Sequence, residues 1–172
     1  MIRGVLLDLS GVLYVGDEPL PGALAAMQRL AGSGLPARYI TNTTRKTSAA
    51  ILKQLAAMQF HVRPDELFTA PLAAKDYLKR HNIVPYLLIH PDLEPEFADI
   101  EHNAGINAVL VGDAGDGFTY ARMNEAFRYL RAGAGLFALG VNRYFKDGGQ
   151  FSLDAGPYVR ALEYAAGTQA TV

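Results

Sequence analysis

The sequence predicts an α/β fold built around a parallel sheet, and three observations carry that prediction. A nearly unbroken apolar run of strand length fills residues 3–9. Beyond it, strand-length apolar runs alternate with stretches of helical period at the spacing of βαβ units, which close through right-handed crossovers. The composition, 50% hydrophobic and 19% charged over 172 residues, is that of a globular chain, sufficient for one ordinary domain or two small ones sharing an interface.

Each element has its own local reason. The continuous apolar character of residues 3–9 suits a strand covered on both faces. Gly11 and then Gly16-Asp17-Glu18-Pro19 interrupt it, and Pro21-Gly22 opens a helix that stops near Gly32-Ser33-Gly34. Residues 37–40 form a second strand ending in Thr41-Asn42-Thr43-Thr44. A helix over residues 48–58 follows, with Ile51, Leu52, Leu55 and Met58 on one side. Residues 65–69 give a short third strand and residues 71–80 a further helix.

The alternation then starts again. Strands are expected over residues 86–90, 108–111 and 136–139, with helices near 95–100, 120–131 and 157–166. The helix over 120–131 puts Met123, Ala126, Phe127 and Leu130 on one face. No linker rich in Pro, Gly or Ser separates the two blocks and no short repeat is present. Periodicity leaves open whether the second block extends the first sheet or makes its own small domain.

Several function classes are disfavoured at once. Sixteen basic residues face seventeen acidic ones, and the aromatic residues follow no basic stripe, so neither nucleic acid nor an anionic membrane is an expected partner. The absence of cysteine rules out disulfides and thiolate metal sites. The first apolar run is too short for a signal peptide or a membrane span, which makes the cytoplasm the expected location. His61, His81, His90 and His102 show no metal-ligand spacing, no P-loop string occurs, and Gly112, Gly115 and Gly117 are out of order for a dinucleotide fingerprint.

The residues that carry chemistry sit at two strand ends. Asp8 closes the first apolar run in the string Asp8-Leu9-Ser10-Gly11-Val12-Leu13-Tyr14. Ligands of open parallel sheets bind beyond the carboxyl ends of strands, so this carboxylate is placed where a substrate can reach it. A carboxylate can attack phosphorus and split one hard hydrolysis into two easier steps, and a Mg²⁺ ion would shield it from an anionic substrate. The competing reading is an Asp that merely caps the following turn. Thr41-Asn42, at the end of the next strand, combines a hydroxyl with backbone N–H groups at a helix start, a good cradle for phosphate oxygens. Here the competing reading is an ordinary helix N-cap.

Together these strings resemble the haloacid dehalogenase superfamily, whose first motif is a nucleophilic Asp and whose second is a Thr or Ser ending the next strand. The branch that contains phospholysine phosphohistidine inorganic pyrophosphate phosphatase is the most similar. The matching strings are Leu7-Asp8-Leu9-Ser10-Gly11-Val12-Leu13-Tyr14, Ile40-Thr41-Asn42-Thr43, Pro85-Tyr86-Leu87-Leu88-Ile89-His90, Met123-Asn124-Glu125-Ala126-Phe127, Arg143-Tyr144-Phe145-Lys146 and Gly156-Pro157-Tyr158-Val159. The resemblance implies a partial Rossmann-like parallel-sheet core over residues 1–72, an inserted α/β cap domain over 73–166, and the start of a return to the core at 167–172.

The resemblance also implies roles. Asp8 would be the nucleophile and a Mg²⁺ ligand, Ser10 would offer its backbone carbonyl to the metal, and Thr41 with Asn42 would hold the transferring phosphoryl group. Cap residues Asn142, Arg143 and Lys146 are candidates for contacting a small phosphorylated substrate, against the alternative that Arg143 and Lys146 are solvated surface charges. Asp113 would be a turn residue of the cap.

Two departures qualify the match. The position two after the nucleophile is a second Asp in most phosphatases of the superfamily and here is Ser10. Its hydroxyl is a poor general acid near neutral pH, which favours substrates with good leaving groups, such as a pyrophosphate or phosphoramidate. The third and fourth motifs, a Lys after the cap and a later acidic pair, have no counterpart up to Val172. A core without those strands would leave residues 5–9 as an exposed edge, so either a swapped or paired homodimer through that edge or a place within a longer chain is expected, as are weak metal affinity and weak activity. The alternative function is a catalytically silent binding or oligomerisation module of the same fold. Carbon–halogen hydrolysis by the same Asp fits the Thr41-Asn42 pair less well.

Overall fold

The computed structural model describes residues 2–101 and 104–172; His102 lies outside the described residues. In chain order the elements are β1 (Val5–Asp8), β2 (Tyr14–Val15), β3 (Glu18–Pro19), α1 (Ala23–Gly32), β4 (Ala37–Thr41), α2 (Ser48–Ala57), β5 (Leu67–Thr69) and α3 (Ala70–Arg80). They continue with β6 (Pro85–Leu88), β7 (Ala108–Val111), α4 (Tyr120–Arg131), β8 (Gly135–Ala138), β9 (Tyr144–Asp147), β10 (Gln150–Leu153) and α5 (Ala155–Ala166).

The two alternating blocks form two separate three-stranded parallel sheets, ordered β1-β4-β5 and β6-β7-β8. The chain therefore makes two α/β lobes, which resolves what periodicity left open. The hand-over is abrupt. Thr69 ends β5 and its hydroxyl accepts from Leu72 N, capping α3 with Pro71 in the first turn. Side-chain oxygens of Thr47, Thr119 and Asp154 cap α2, α4 and α5 in the same manner.

The first lobe packs one face of its sheet against α1 and α2. Leu9, Leu13, Tyr39, Ile51, Leu55, Phe60 and Leu67 form that core. The opposite face is not covered: Leu6 is 70% exposed and Phe68 56%. Coverage of the first strand on both faces, expected from its apolar run, is thus not what the structure holds. In β1, Val5 and Leu7 are half-buried while Leu6 and Asp8 are exposed. β1 is also the edge of the sheet.

The second lobe is covered on both sides. Val109 and Val111 face α4 and α5 together with Leu130, Val159 and Leu162. Leu110 faces the other way, into Leu78 of α3, Ile89, Leu93 and Phe97. All four residues of β7 are buried.

One sequence expectation changes, and two features lie outside what the sequence suggested. The helix placed near 95–100 is a 3-10 segment over Pro91–Phe97, because Pro95 lacks an N–H and its ring obstructs a regular α turn. Two antiparallel hairpins, β2-β3 and β9-β10, had no expectation, being short and largely exposed. At the chain's end Thr171 is still on the second lobe: it bridges Phe137 of β8, donating to Leu136 O and accepting from Ala138 N.

Candidate active site

Because β1 and β4 run parallel with Asp8 opposite Ile40, Asp8 and Thr41 leave neighbouring strands at the same end of the first sheet. The chain after Asp8 turns sharply. Leu9 N donates to Asp8 Oδ1 at 2.8 Å, and Gly11 takes φ 79°, a left-handed conformation that a side chain would strain. Leu13 N and Gly11 N close the turn on Leu9 O and Tyr14 O. The result is a buried Leu9 and Tyr14 with Ser10 exposed between them. At the second strand end, Thr41 Oγ1 accepts from Thr43 N at 3.3 Å, so the hydroxyl is tied into the β4-α2 loop. The two adjacent sequence strings are brought together as expected from the sheet.

A polar cleft of about 550 Å³ opens at these strand ends, lined by Ser10, Tyr14, Thr41 and Asn42 from the first lobe and by Asn142 and Tyr144 from the second. Asp8 stands beside this wall, exposed, and close enough that its charge acts on Tyr14. Burial pushes the Tyr14 phenol above its ordinary value, and the negative charges of Asp8 and Asp17 push it further. Tyr14 is thereby held in its neutral, proton-bearing form. A more apolar hollow of about 340 Å³ lies among Phe68, Tyr77 and Phe137, but it offers a phosphate few polar partners.

The candidates on the second lobe separate. Asn142 reaches the cleft, and its carbonyl accepts from Gly156 N at 2.9 Å. Gly156 is required there, since a Cβ would sit 2.4 Å from Asn142 O. Arg143 and Lys146 are exposed and outside the cleft wall; the Arg143 guanidinium lies 5.7 Å from the Tyr144 ring.

Sequence reasoning missed the contacts that join the lobes here. Arg45 Nε donates to Asp113 Oδ2 at 2.5 Å and Nη2 to Oδ1 at 3.1 Å. Asp113, only 6% exposed, also accepts from Gly115 N, and its own N–H donates to Thr44 Oγ1. Asp113 is thus more than a turn residue. The hydrogen bond to Asp113 raises the Arg45 pKa further, which keeps the guanidinium charged. Glu96, 8% exposed, accepts from Ser48 N at 2.5 Å and Ser48 Oγ at 3.1 Å, a carboxylate placed at the positive end of α2.

Among the described residues no group of three or more His, Cys, Asp or Glu is arranged to hold a metal ion, and no helix is long and apolar enough to cross a membrane. Asp8 and the Ser10 carbonyl supply hard oxygen donors of the kind Mg²⁺ accepts when waters and substrate phosphate complete its shell. The residues present therefore fit Mg²⁺, as a sparse site.

Known proteins resemble this chain in sequence and in fold. A sequence model described as haloacid dehalogenase-like hydrolase matches residues 5–106. Human haloacid dehalogenase-like hydrolase domain-containing protein 2 is 40% identical over 171 residues, which cover 99% of this chain and 66% of that protein. Phospholysine phosphohistidine inorganic pyrophosphate phosphatase of Bos taurus is 41% identical over 177 residues, 99% of this chain and 65% of its own length. The chain thus spans about two thirds of the length of these relatives. A 4-nitrophenylphosphatase from Thermotoga maritima superposes with a TM-score of 0.87 at 25% identity, covering 98% of this chain and 66% of that one. A p-nitrophenyl phosphatase from Archaeoglobus fulgidus shares the fold, with a TM-score of 0.91 at 20% identity over 99% of this chain and 67% of its own. With the Asp8 and Thr41 strand ends side by side and the family match over residues 5–106, this chain belongs to the haloacid dehalogenase-like hydrolases.

Proposed function

We propose that the chain carries the nucleophile and the phosphate-holding groups of a Mg²⁺-dependent phosphatase acting on small phosphorylated compounds, with pyrophosphate and N-phosphorylated species as the favoured class. The observation that carries this reading is the juxtaposition of Asp8 with Thr41 and Asn42 at neighbouring strand ends, opening on a polar cleft. The names of relatives, a pyrophosphate phosphatase and a nitrophenylphosphatase, support the same class.

In the proposed chemistry an Asp8 oxygen forms a bond to phosphorus while the bond to the leaving group breaks, giving an aspartyl-phosphate. Water then attacks that phosphorus, releasing phosphate and restoring the carboxylate. Thr41 and Asn42 hold the phosphoryl oxygens with a hydroxyl, an amide and backbone N–H groups. Ser10 lines the cleft but is a weak acid, so leaving groups that depart without strong protonation are favoured. Bound Mg²⁺, held by Asp8 and the Ser10 carbonyl, would offset the repulsion between carboxylate and phosphate. The second lobe serves as a cap, with Asn142 contacting substrate; Arg143 and Lys146 would act only on a substrate extending past the cleft.

A second reading, pairing of two copies, is favoured by a separate observation: the edge strand β1 and the exposed apolar Leu6 and Phe68 of its sheet. A silent oligomerisation module would use the same surface without the chemistry.

Phosphate release from pyrophosphate, measured with and without Mg²⁺, tests the enzyme reading. Mg²⁺-dependent release that falls by about 1,000-fold or more in Asp8→Asn is expected, because removing a nucleophile leaves only binding and charge stabilisation. Release unaffected by Asp8→Asn would overturn it. No release from any phosphorylated compound tried would favour the module.

A further inference from the structure

Arg45 stands on the first lobe and is held in the cleft by residues of the second. It lines the same cleft as Thr41 and Asn42, on the loop that follows them. Asp113 takes one edge of its guanidinium, through Nε and Nη2. The Arg45 carbon Cζ lies 5.0 Å from the centre of the Phe145 ring, which restrains the plane from another side. A guanidinium has five N–H groups, and Asp113 occupies only two of them. The remaining N–H groups have no protein partner among the described residues, and the side chain, which lines this cleft, is 40% exposed. Lys46 lines the same cleft with one ammonium N–H on Gln54 Oε1 at 2.9 Å, but it is exposed and lacks the buried carboxylate that fixes Arg45.

Asp113 is nearly buried, and a buried carboxylate is retained only when it is well paired. Its bonds to Arg45, to Gly115 N and, through its own N–H, to Thr44 hold the guanidinium in one plane. A planar fork held in place loses little freedom on binding a second oxyanion.

We infer that Arg45 is a specificity-determining residue that binds a second anionic group, phosphoryl or carboxylate, beside the phosphoryl group held at Thr41-Asn42, with Asp113 as its positioning residue. The inference rests on the phosphate-holding role proposed for Thr41 and Asn42. It makes a substrate carrying two neighbouring anions, rather than a simple monoester, the preferred class. Asp154 also lines the cleft, but its Oδ1 is engaged by Ala155 N at the start of α5.

Binding of three non-hydrolysable phosphonates to the 172-residue chain separates the terms, read by calorimetry or by NMR titration without metal. Methylenediphosphonate and phosphonoacetate carry a second anion of each kind, and methylphosphonate carries none. The wild type is expected to bind at least one of the first two about tenfold more tightly than methylphosphonate, the scale of one charge-assisted contact. Arg45→Gln should abolish that preference while leaving methylphosphonate within about twofold. Asp113→Asn should reduce the preference in part, because the charge remains but its plane is free. A general loss of structure would weaken all three ligands together and leave their ratio unchanged. If Arg45→Gln is poorly folded because Asp113 is left unpaired, the Arg45→Gln/Asp113→Asn double variant restores a neutral pair and carries the same expectation. A preference absent from the wild type, or surviving in either Arg45 variant, overturns the inference. With Thr41→Val weakening every ligand, such a result overturns the inference alone. Thr41→Val without effect, or a wild type that binds none of the three, overturns the phosphate-holding reading as well.

Discussion

The two lobes repeat one βαβ pattern with opposite outcomes. In the second, helices cover both faces of β6-β7-β8, and every residue of β7 is buried. In the first, α1 and α2 cover one face, while Leu6 and Phe68 stay in solvent on the other. Parallel sheets are ordinarily covered on both faces. The second lobe is thus the better packed, while the lobe with Asp8 and Thr41 leaves an apolar face open.

The largest effect that would sharpen this contrast comes from the second core. Phe97 is fully buried in the cluster between α3 and β7, and Phe97→Ala is expected to destabilise the chain by about 3–5 kcal/mol, read from urea denaturation. Leu6→Lys, on the open face of the first lobe, should change the stability of a single chain by no more than about 0.5 kcal/mol. Its effect belongs to association. If two copies pair through β1, sedimentation equilibrium will show the wild type self-associating and Leu6→Lys shifted to monomer, since an edge charge opposes strand pairing. A wild type that is monomeric at all concentrations would remove the homodimer proposal, and a Leu6→Lys cost comparable to Phe97→Ala would show that this face is packed after all.

The difference between the lobes was only partly legible in the sequence. The runs at 108–111 and 136–139 look much like the run at 3–9, because apolar character predicts that a strand seeks cover without showing whether the chain supplies it. The strand ends were readable for a stronger reason: Asp8 and Thr41 each close a strand-length segment, and parallel pairing places consecutive strand ends together. Arg45 and Asp113 are 68 residues apart, so no local spacing could join them, although Arg45 stands in the same loop as Thr41. Asp113 in a Gly-flanked string is indistinguishable from a turn residue until the lobes are packed. Pro95, which lacks an N–H and obstructs a regular α turn, is the readable signal for the 3-10 segment.

The smallest expected effect tests whether surface charge contributes to the advantage of the second lobe. Asp99 accepts from Lys75 Nζ at 2.8 Å and Lys79 Nζ at 2.5 Å, joining α3 to the chain after the 3-10 segment. The hydrogen bonds from Lys75 and Lys79 lower its pKa from 3.8 to about 2. A carboxyl group depressed on folding adds stability that is fully present above its unfolded value and is lost as pH falls through the folded one. The contribution of Asp99 should therefore be constant above about pH 4 and fade toward pH 2. The group is fully solvated, so the effect will be slight and screened by salt. Urea midpoints of the wild type and Asp99→Asn across this range should converge at the acid end. Midpoints that stay apart at pH 2 would mean that Asp99 acts through packing rather than charge, and coincident midpoints at neutral pH would leave the advantage of the second lobe entirely to its doubly covered sheet.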